Sequence, residues 1–176
     1  MATTASKLTL AQFEQQFCHS DRAYEFWFGE AIPKCMPTWV HGLLQAIIMR
    51  LLEDAGFNAA SEVELRIDPD AHPRPDVIAS RSRLHGDYPT QAAELVVEIV
   101  SEDEPFPHLK DKCRKYKAWG FAGVYVVDPS DRTVSEWNGA LVVTDNLAGI
   151  PAARIWHDLD QRYTSDAEGT TGNGSK

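Results

Sequence analysis

The sequence predicts an α/β domain in which a central mixed β-sheet is flanked by α-helices. Three short apolar runs rich in β-branched residues, at positions 74–79, 94–100 and 122–129, have the length and composition of buried strands. Longer segments with apolar residues at helical spacing precede and separate them, the longest over residues 38–55. Strands that alternate with helices in this way are typical of an α/β architecture.

Helices are predicted from apolar periodicity over residues 8–17, 38–55 and 108–119. The second has a wide apolar face, so we expect it to pack on the sheet. Gly56 and Gly120 follow the second and third segments directly and are natural helix stops.

Shorter strands are predicted on either side of these elements. Residues 24–32 are interpreted as a strand pair that turns at Gly29, and residues 61–67 alternate strictly between polar and apolar, as a half-exposed strand does. An Asn-Gly turn joins residues 133–137 to residues 140–144, which predicts a β-hairpin.

Length, composition and charge limit the function classes. A chain of 176 residues fits one domain, predicted over residues 1–163, and the Ser/Thr/Gly-rich residues 164–176 are predicted to be a disordered tail. The net charge of −9 argues against a general polyanion binder but permits one local basic face. No apolar run approaches the ~18 residues of a membrane helix, and the polar start lacks a signal-peptide core. We therefore expect a cytoplasmic protein without membrane association.

The cysteines and histidines give little direct evidence of a site. Cys18, Cys35 and Cys113 are odd in number and far apart, which favours reduced thiols over a disulfide framework or zinc ribbon. No histidine pair has metal-ligand spacing on a predicted helix, and only His41, near the start of the long helix, is a candidate. Gly-rich phosphate loops and Gly-x-Ser-x-Gly elbows are absent from the sequence, so nucleotide-cofactor chemistry and serine hydrolysis are disfavoured.

Two carboxylates interrupt the apolar strands. Asp76 lies in the first buried run and Glu98 in the second, each where a core-facing residue is expected. An isolated buried carboxylate is costly unless it is paired or coordinates a metal. Two of them on successive strands therefore indicate a divalent cation, and Mg²⁺ is commonly held by one or two protein carboxylates together with water and phosphate oxygens.

A lysine on the next predicted helix completes this interpretation. Glu98 shares a strand face with Val100, so no lysine lies two residues further along that face. Lys112 can reach the same space with its long side chain. A metal activates water and neutralises charge developing on a phosphodiester, and a nearby ammonium group can hold the attacking water.

Structural alternatives stand beside each assignment. Asp76, which follows a proline, can cap a turn, and Glu98 can form an internal salt bridge with Lys112 or Arg114. Lysines on helices are commonly solvated, which applies to Lys112 and also to Lys115, a weaker candidate for a phosphate contact.

The order of several short motifs resembles the Uma-type family of putative restriction endonucleases, within the restriction-endonuclease-like superfamily. Its members read Tyr-Glu-Leu-x-x-Gly-Glu, then Pro-Asp-Val, Val-Glu-Val-x-Ser, a helix with Lys and Tyr four apart, and Val-Asp-Pro. The corresponding residues here are Tyr24-Glu25-Phe26-Trp27-Phe28-Gly29-Glu30, Pro75-Asp76-Val77, Val97-Glu98-Ile99-Val100-Ser101, Lys112 with Tyr116, and Val127-Asp128-Pro129. The resemblance extends over about residues 8–143.

The resemblance implies a restriction-endonuclease-like core and a nuclease dependent on Mg²⁺ or Mn²⁺. Asp76 and Glu98 are then metal ligands, Lys112 replaces the missing strand lysine beside the attacking water, and Glu25 is an additional metal-ligand candidate. The alternative for Glu25 is an exposed carboxylate on a short strand. DNA is the implied substrate, and a homodimer follows by analogy with nucleases that cut both strands.

Two other functions are weighed against the endonuclease. The acidic residues 102–104 follow the glutamate strand and would repel DNA, which favours a nuclease-derived nucleic-acid-binding or regulatory module that cuts poorly. The acidic composition also permits a metal-dependent hydrolase of small phosphorylated substrates.

Overall fold

The structure, a computed structural model, describes residues 7–17, 19–101 and 105–164, with the side chains of residues 163 and 164 left out. Cys18, the acidic residues 102–104 and residues 165–176 of the predicted tail lie outside the described residues. None of the helices in the described ranges combines the length and hydropathy needed to cross a bilayer.

The described chain contains helices and strands in an α/β order. The helices are Leu10–Phe17 (α1), Trp39–Asp54 (α2), Phe106–Trp119 (α3) and Ala152–Thr164 (α4). The strands are Tyr24–Trp27 (β1), Glu30–Pro33 (β2), Asn58–Ser61 (β3), Ala71–His72 (β4), Val77–Ser80 (β5), Leu95–Ile99 (β6), Gly123–Asp128 (β7), Thr133–Trp137 (β8), Leu141–Thr144 (β9), Asn146–Leu147 (β10) and Ile150–Pro151 (β11).

A six-stranded mixed sheet forms the centre, in the order β3-β5-β6-β7-β8-β9. Strands β6 and β7 run parallel and are connected by α3, whereas every other neighbouring pair is antiparallel. A parallel connection requires a crossover, and a helix supplies it here. The predicted α/β class with a mixed sheet flanked by helices is confirmed, as is the β8–β9 hairpin across the Asn-Gly turn.

The two faces of β6 pack against different helices. Val97 and Ile99 belong to the core that includes Leu44 of α2 and residues of α4, and Val96 belongs to the core that includes Leu109 of α3. Side chains alternate between the faces of a strand, so the residue between Val97 and Ile99 faces the α3 side. That residue is a carboxylate, Glu98.

A second sheet, in the order β2-β1-β4, lies beside α3. The indole of Trp27 on β1 stacks on that of Trp119, at a centroid distance of 5.9 Å, and contacts Tyr116 edge-on at 6.3 Å. These aromatic contacts hold β1 against the helix that also covers β6. The small sheet and the central sheet therefore meet along α3.

The strand predicted over residues 61–67 is wrong. Strand β3 ends at Ser61, and Glu62 adopts a left-handed backbone conformation with φ of 56° that turns the chain away from the sheet. Leu65 is buried and its N–H donates to the carbonyl of Pro73, so the apolar positions of this stretch serve a packed loop instead of a strand.

Two helix predictions also differ from the structure. Helix α3 begins at Phe106 instead of residue 108, with Pro107 in its first turn, where a missing N–H costs no helical hydrogen bond. Helix α4 is not predicted from the sequence, and its last residue is Thr164, where the tail was expected to start. Ile155, Trp156 and Leu159 of α4 enter the core that α2 covers.

We predict that Ile155→Ala lowers the free energy of unfolding by about 2–5 kcal/mol, because it removes a buried aliphatic side chain and leaves a cavity between α4 and α2. Urea unfolding followed by circular dichroism measures this. Val143→Ala is the control, since Val143 is 67% exposed and its loss should be nearly neutral. Equal stability of the two variants would contradict the packing of α4 on the core.

Candidate active site

One cavity of about 310 Å³ brings together the four site residues predicted from the sequence, Glu25, Asp76, Glu98 and Lys112. The three carboxylates are only 2%, 4% and 2% exposed, and Lys112 is 4% exposed. Burial of this much charge is costly unless every group has a partner of opposite charge or a hydrogen bond. The contacts of each residue show how that cost is met.

Asp76 lies just before β5 and connects three elements. Its Oδ2 accepts a hydrogen bond from the backbone N–H of Ile99 on β6 at 2.7 Å, so the carboxylate joins two strands instead of capping a turn. Its Oδ1 lies 3.3 Å from Nε2 of His41 and 3.6 Å from Nζ of Lys34. Burial alone raises the pKa of Asp76, but His41, Lys34 and Lys112 outweigh it and lower the pKa below its usual value.

Glu98 is held from α3 by two side chains one helical turn apart. Lys112 Nζ donates to Oε2 at 2.9 Å, and the Tyr116 hydroxyl donates to Oε1 at 2.6 Å. Burial, followed by the nearby carboxylates, raises the pKa of Tyr116 well above its usual value, so the phenol stays protonated and donates. The internal salt bridge weighed for Glu98 forms with Lys112, whereas Arg114 pairs with Asp111.

Glu25 on β1 is buried, so the alternative of an exposed carboxylate is wrong. Its Oε1 accepts from the backbone N–H of Arg74 at 2.7 Å, and its Oε2 accepts from Nε1 of Trp27 at 2.9 Å. Lys112 Nζ lies 3.7 Å from the same Oε2. Glu25 therefore fixes the small sheet to the chain before β5 and also faces the site.

Lys112 lies between two buried carboxylates, so the alternative of a solvated helix lysine is wrong for this residue. It follows from the geometry that one ammonium group bridges Glu98 of the central sheet and Glu25 of the small sheet. Lys115, three residues on, is half-buried, and its ammonium lies 4.2 Å from the centroid of the Phe28 ring.

Lys34 is a site residue that the sequence did not indicate. It follows β2, and its Nζ donates to Oε2 of Glu62 at 2.6 Å and to the carbonyl of Arg74 at 2.7 Å. Burial alone lowers its pKa, but attraction to Asp76, Glu62 and other carboxylates outweighs this, so the net pKa is raised. Lys34 could not be recognised from the spacing of apolar residues, because it lies in a Pro-rich connection outside the helices and strands.

His41, the one histidine singled out from the sequence, faces Asp76 from the first turn of α2. Thr38 caps this helix by accepting from the backbone N–H of His41 at 3.2 Å. His41 is 7% exposed, and its Nδ1 is buried without a hydrogen-bond partner in the described part of the chain. A buried ring nitrogen without a partner is uncommon and calls for an explanation.

The described residues contain one group of three side chains spaced to hold a metal ion. It consists of His41, Glu62 and Asp76, each of which offers one ligand atom within 4.8 Å of the others. Asp76 belongs both to this group and to the set expected from the sequence, whereas Glu98 and Glu25 are not members of the group. Gln45 positions the rim of the group by donating to Glu62 Oε1 and to the carbonyl of Asp76.

The lining of the cavity remains negative. Four carboxylates face three permanent cations, which are Arg22, Lys34 and Lys112. A pocket with an excess of carboxylates, three of them buried, offers the kind of ligand and the charge that a hard divalent cation prefers.

Comparison with known proteins identifies the family. The family model Uma2, described as "Putative restriction endonuclease", matches residues 10–140, which is well over half of the chain. The chain belongs to the Uma2 family. This agrees with the motif order read from the sequence, and the matched range includes all four predicted site residues as well as His41 and Lys34.

Among solved structures, this Uma2 chain is similar to a putative nuclease from Anabaena variabilis, with a TM-score of 0.71, 20% identity, and coverage of 86% of this chain and 99% of that one. This likeness confirms the restriction-endonuclease-like fold. A DrdV–DNA complex is also similar at a TM-score of 0.38 and 20% identity, over 66% of this chain and 10% of that one. A TM-score that low does not establish a shared fold. No curated protein matches the sequence significantly.

We predict that Asp76→Asn reduces the loss of stability at acidic pH. Urea unfolding in the presence of EDTA, repeated from neutral pH downward, measures the free energy of unfolding against pH. The folded pKa of Asp76 is lowered from 3.8, so between the two pKa values the unfolded chain binds more protons. The stabilisation that the ionised Asp76 contributes is present above pH ~3.8 and is lost as the pH falls through the folded pKa. Asp87→Asn, at an exposed carboxylate, should keep the wild-type slope. If the free energy of unfolding of Asp76→Asn fell with pH as steeply as that of the wild type, the lowered pKa of Asp76 would be contradicted.

Proposed function

We propose that this chain is a divalent-metal-dependent endonuclease that hydrolyses DNA phosphodiester bonds. In this proposal Asp76 and Glu98 bind Mg²⁺ or Mn²⁺, Glu25 supports the site, and Lys112 positions the attacking water. The observation that carries it is the burial of Glu25, Asp76 and Glu98, from separate parts of the two sheets, in one cavity whose lining keeps a net negative charge. Membership of the Uma2 family supports the nuclease class.

The residues fit a divalent ion chemically. Asp76 Oδ1 is directed into the cavity, where its neighbours are cationic or ionisable side chains, while Oδ2 is fixed by Ile99. Both oxygens of Glu98 accept hydrogen bonds, yet each carboxylate oxygen has a second lone pair with which it can bind a cation. A bound ion would supply Lewis-acid activation of the phosphodiester and of the attacking water.

The chain's own side chains provide orientation and charge. Lys112 is fixed by Glu98 and Glu25, so its ammonium group is preorganised to hold a water beside the scissile phosphate and to stabilise charge that develops on it. Tyr116 fixes Glu98 from the other oxygen. Preorganised donors of this kind cost no reorganisation at the moment of reaction.

A local basic surface supports DNA as the substrate despite the net charge of −9. A groove of about 330 Å³ lies beside the cavity and shares Lys112, His108 and Ile32 with it. Lys7, Arg114 and Lys115 also line this groove, together with the carboxylates Glu30 and Asp111, so the charged residues of its lining are mostly cationic. Cationic side chains in such a position are suited to a phosphate backbone entering or leaving the site.

We predict that purified protein nicks plasmid DNA with Mg²⁺ or Mn²⁺, and that Asp76→Asn, Glu98→Gln and Lys112→Met each reduce the rate by about 10² or more. Each substitution keeps side-chain volume and removes one proposed role. Gel-based nicking assays measure the rates, with circular dichroism to verify folding.

The matched controls are Glu53→Gln, which changes an exposed carboxylate on α2, and Lys117→Met, which changes an exposed lysine on the same helix as Lys112. Both should cut at the wild-type rate. Nicking that persists in Glu98→Gln would refute the assigned site. Folded wild-type protein that does not cut with either ion would favour the non-cutting nucleic-acid-binding or regulatory module.

A further inference from the structure

The group of His41, Glu62 and Asp76 already contains a positive charge, the ammonium group of Lys34. Its Nζ lies 2.6 Å from Oε2 of Glu62 and 3.6 Å from Oδ1 of Asp76. The same Oδ1 lies 3.3 Å from Nε2 of His41. The side chain of a lysine thus occupies the space between two members of a group whose spacing suits a metal ion.

We propose that His41, Glu62 and Asp76 form a second divalent-cation site, and that the Lys34 ammonium group occupies it until an ion displaces it. The inference deepens the proposed function and rests on it, because Asp76 belongs to both positions. Lys34 then acts as an internal competitor that sets how much metal is needed to load the site.

The buried imidazole of His41 offers the group a nitrogen ligand. Its Nδ1 is buried and has no hydrogen-bond partner within the described ranges, although the ring lies against Asp76 in the first turn of α2. Imidazole is a common metal ligand, and Nε2, which lies 3.3 Å from Oδ1 of Asp76, is placed to coordinate an ion that Asp76 also binds. The three ligand atoms lie within 4.8 Å of one another, a spread that one ion with bonds of ~2.0–2.4 Å can bridge with little movement.

The ligand set also indicates which ion the site prefers. Mg²⁺ favours oxygen ligands and keeps much of its water, whereas first-row transition ions accept imidazole nitrogen readily. A site with one imidazole and two carboxylates should therefore bind Mn²⁺ more tightly than Mg²⁺. The position between Asp76 and Glu98 offers only oxygen ligands and should discriminate less between Mn²⁺ and Mg²⁺.

Lys34 is suited to leave when an ion arrives. An ammonium group on a flexible four-carbon chain can move while its backbone stays in place, and Lys34 follows the end of β2 instead of lying within a helix or strand. The ammonium group also donates to the carbonyl of Arg74 at 2.7 Å, and this acceptor remains available when the contact with Glu62 is lost. Glu62 is 45% exposed at the rim, so an ion can approach from solvent.

Mn²⁺ titration by calorimetry tests the competition. Lys34→Gln removes the internal cation and should tighten Mn²⁺ binding about 10-fold or more, since it removes repulsion between two cations a few ångströms apart. Glu62→Gln should weaken Mn²⁺ binding by a similar factor and leave Mg²⁺ binding unchanged. Lys117→Gln and Glu30→Gln are the matched controls and should bind like the wild type. Unchanged or weaker Mn²⁺ binding in Lys34→Gln would overturn the proposal.

Pulsed electron paramagnetic resonance of the Mn²⁺-loaded wild type tests the ligand without relying on a variant's folding. Modulation from a coordinated imidazole ¹⁴N should appear and should change when histidine is labelled with ¹⁵N. It should persist in His108→Gln, which alters the other histidine of the cavity, and disappear in His41→Gln. Bound Mn²⁺ without nitrogen coupling would overturn the proposal.

The two hypotheses fail in different ways. Nicking that depends on Glu98, together with Mn²⁺ bound without imidazole, would refute the second site and leave the proposed nuclease intact. Imidazole-coordinated Mn²⁺ in a protein that does not cut DNA would refute the nuclease and leave the site. Absence of any metal binding in the folded wild type would refute both.

Discussion

The contact between Lys112 and Glu98, buried between α3 and β6, is the interaction on which the rest of the structure depends. The two groups lie 2.9 Å apart and both are almost inaccessible to solvent. Removal of one partner from such a pair leaves an uncompensated buried charge, which is strongly destabilising. The same ammonium group reaches Glu25, so a single lysine joins the central sheet to the small sheet. The contact that joins the two sheets is therefore also part of the candidate site.

The topology explains why this contact forms. The parallel pair β6 and β7 requires a crossover, and α3 supplies it on the sheet face to which Glu98 points. Lys112 and Tyr116 stand one turn apart on that helix and meet the two oxygens of the same carboxylate. On the opposite face, α2 presents His41 toward Asp76, whose other oxygen is fixed by the backbone of β6. The site thus lies where helices from both faces of the sheet converge.

The residues that sequence analysis found are those that break a pattern. Asp76 and Glu98 were recognisable because each places a charge in an apolar run, and Lys112 because its long side chain can reach the same space from the following helix. Glu25 was indicated only by the motif resemblance. Lys34 and Glu62 could not be found in this way. Glu62 lies in a stretch that alternates between polar and apolar residues as a strand does, yet its left-handed backbone conformation turns the chain toward the cavity. Lys34 lies in a proline-rich connection. Helix α4 escaped prediction too, although Ile155, Trp156 and Leu159 are spaced for a buried helical face. The roles of Asp76, Glu98, Lys112 and Glu25 in metal binding and catalysis stay predictions.

The most direct measurement is a crystal structure of the protein grown with Mn²⁺, with anomalous scattering recorded to locate the ion. We expect an anomalous peak in the cavity within bonding distance of Asp76, with Lys34 shifted away from its contact with Glu62 if the second position is filled. Crystals saturated with Mn²⁺ that show peaks only on the protein surface, with Lys34 and Lys112 still paired to their carboxylates, would contradict a metal-dependent site.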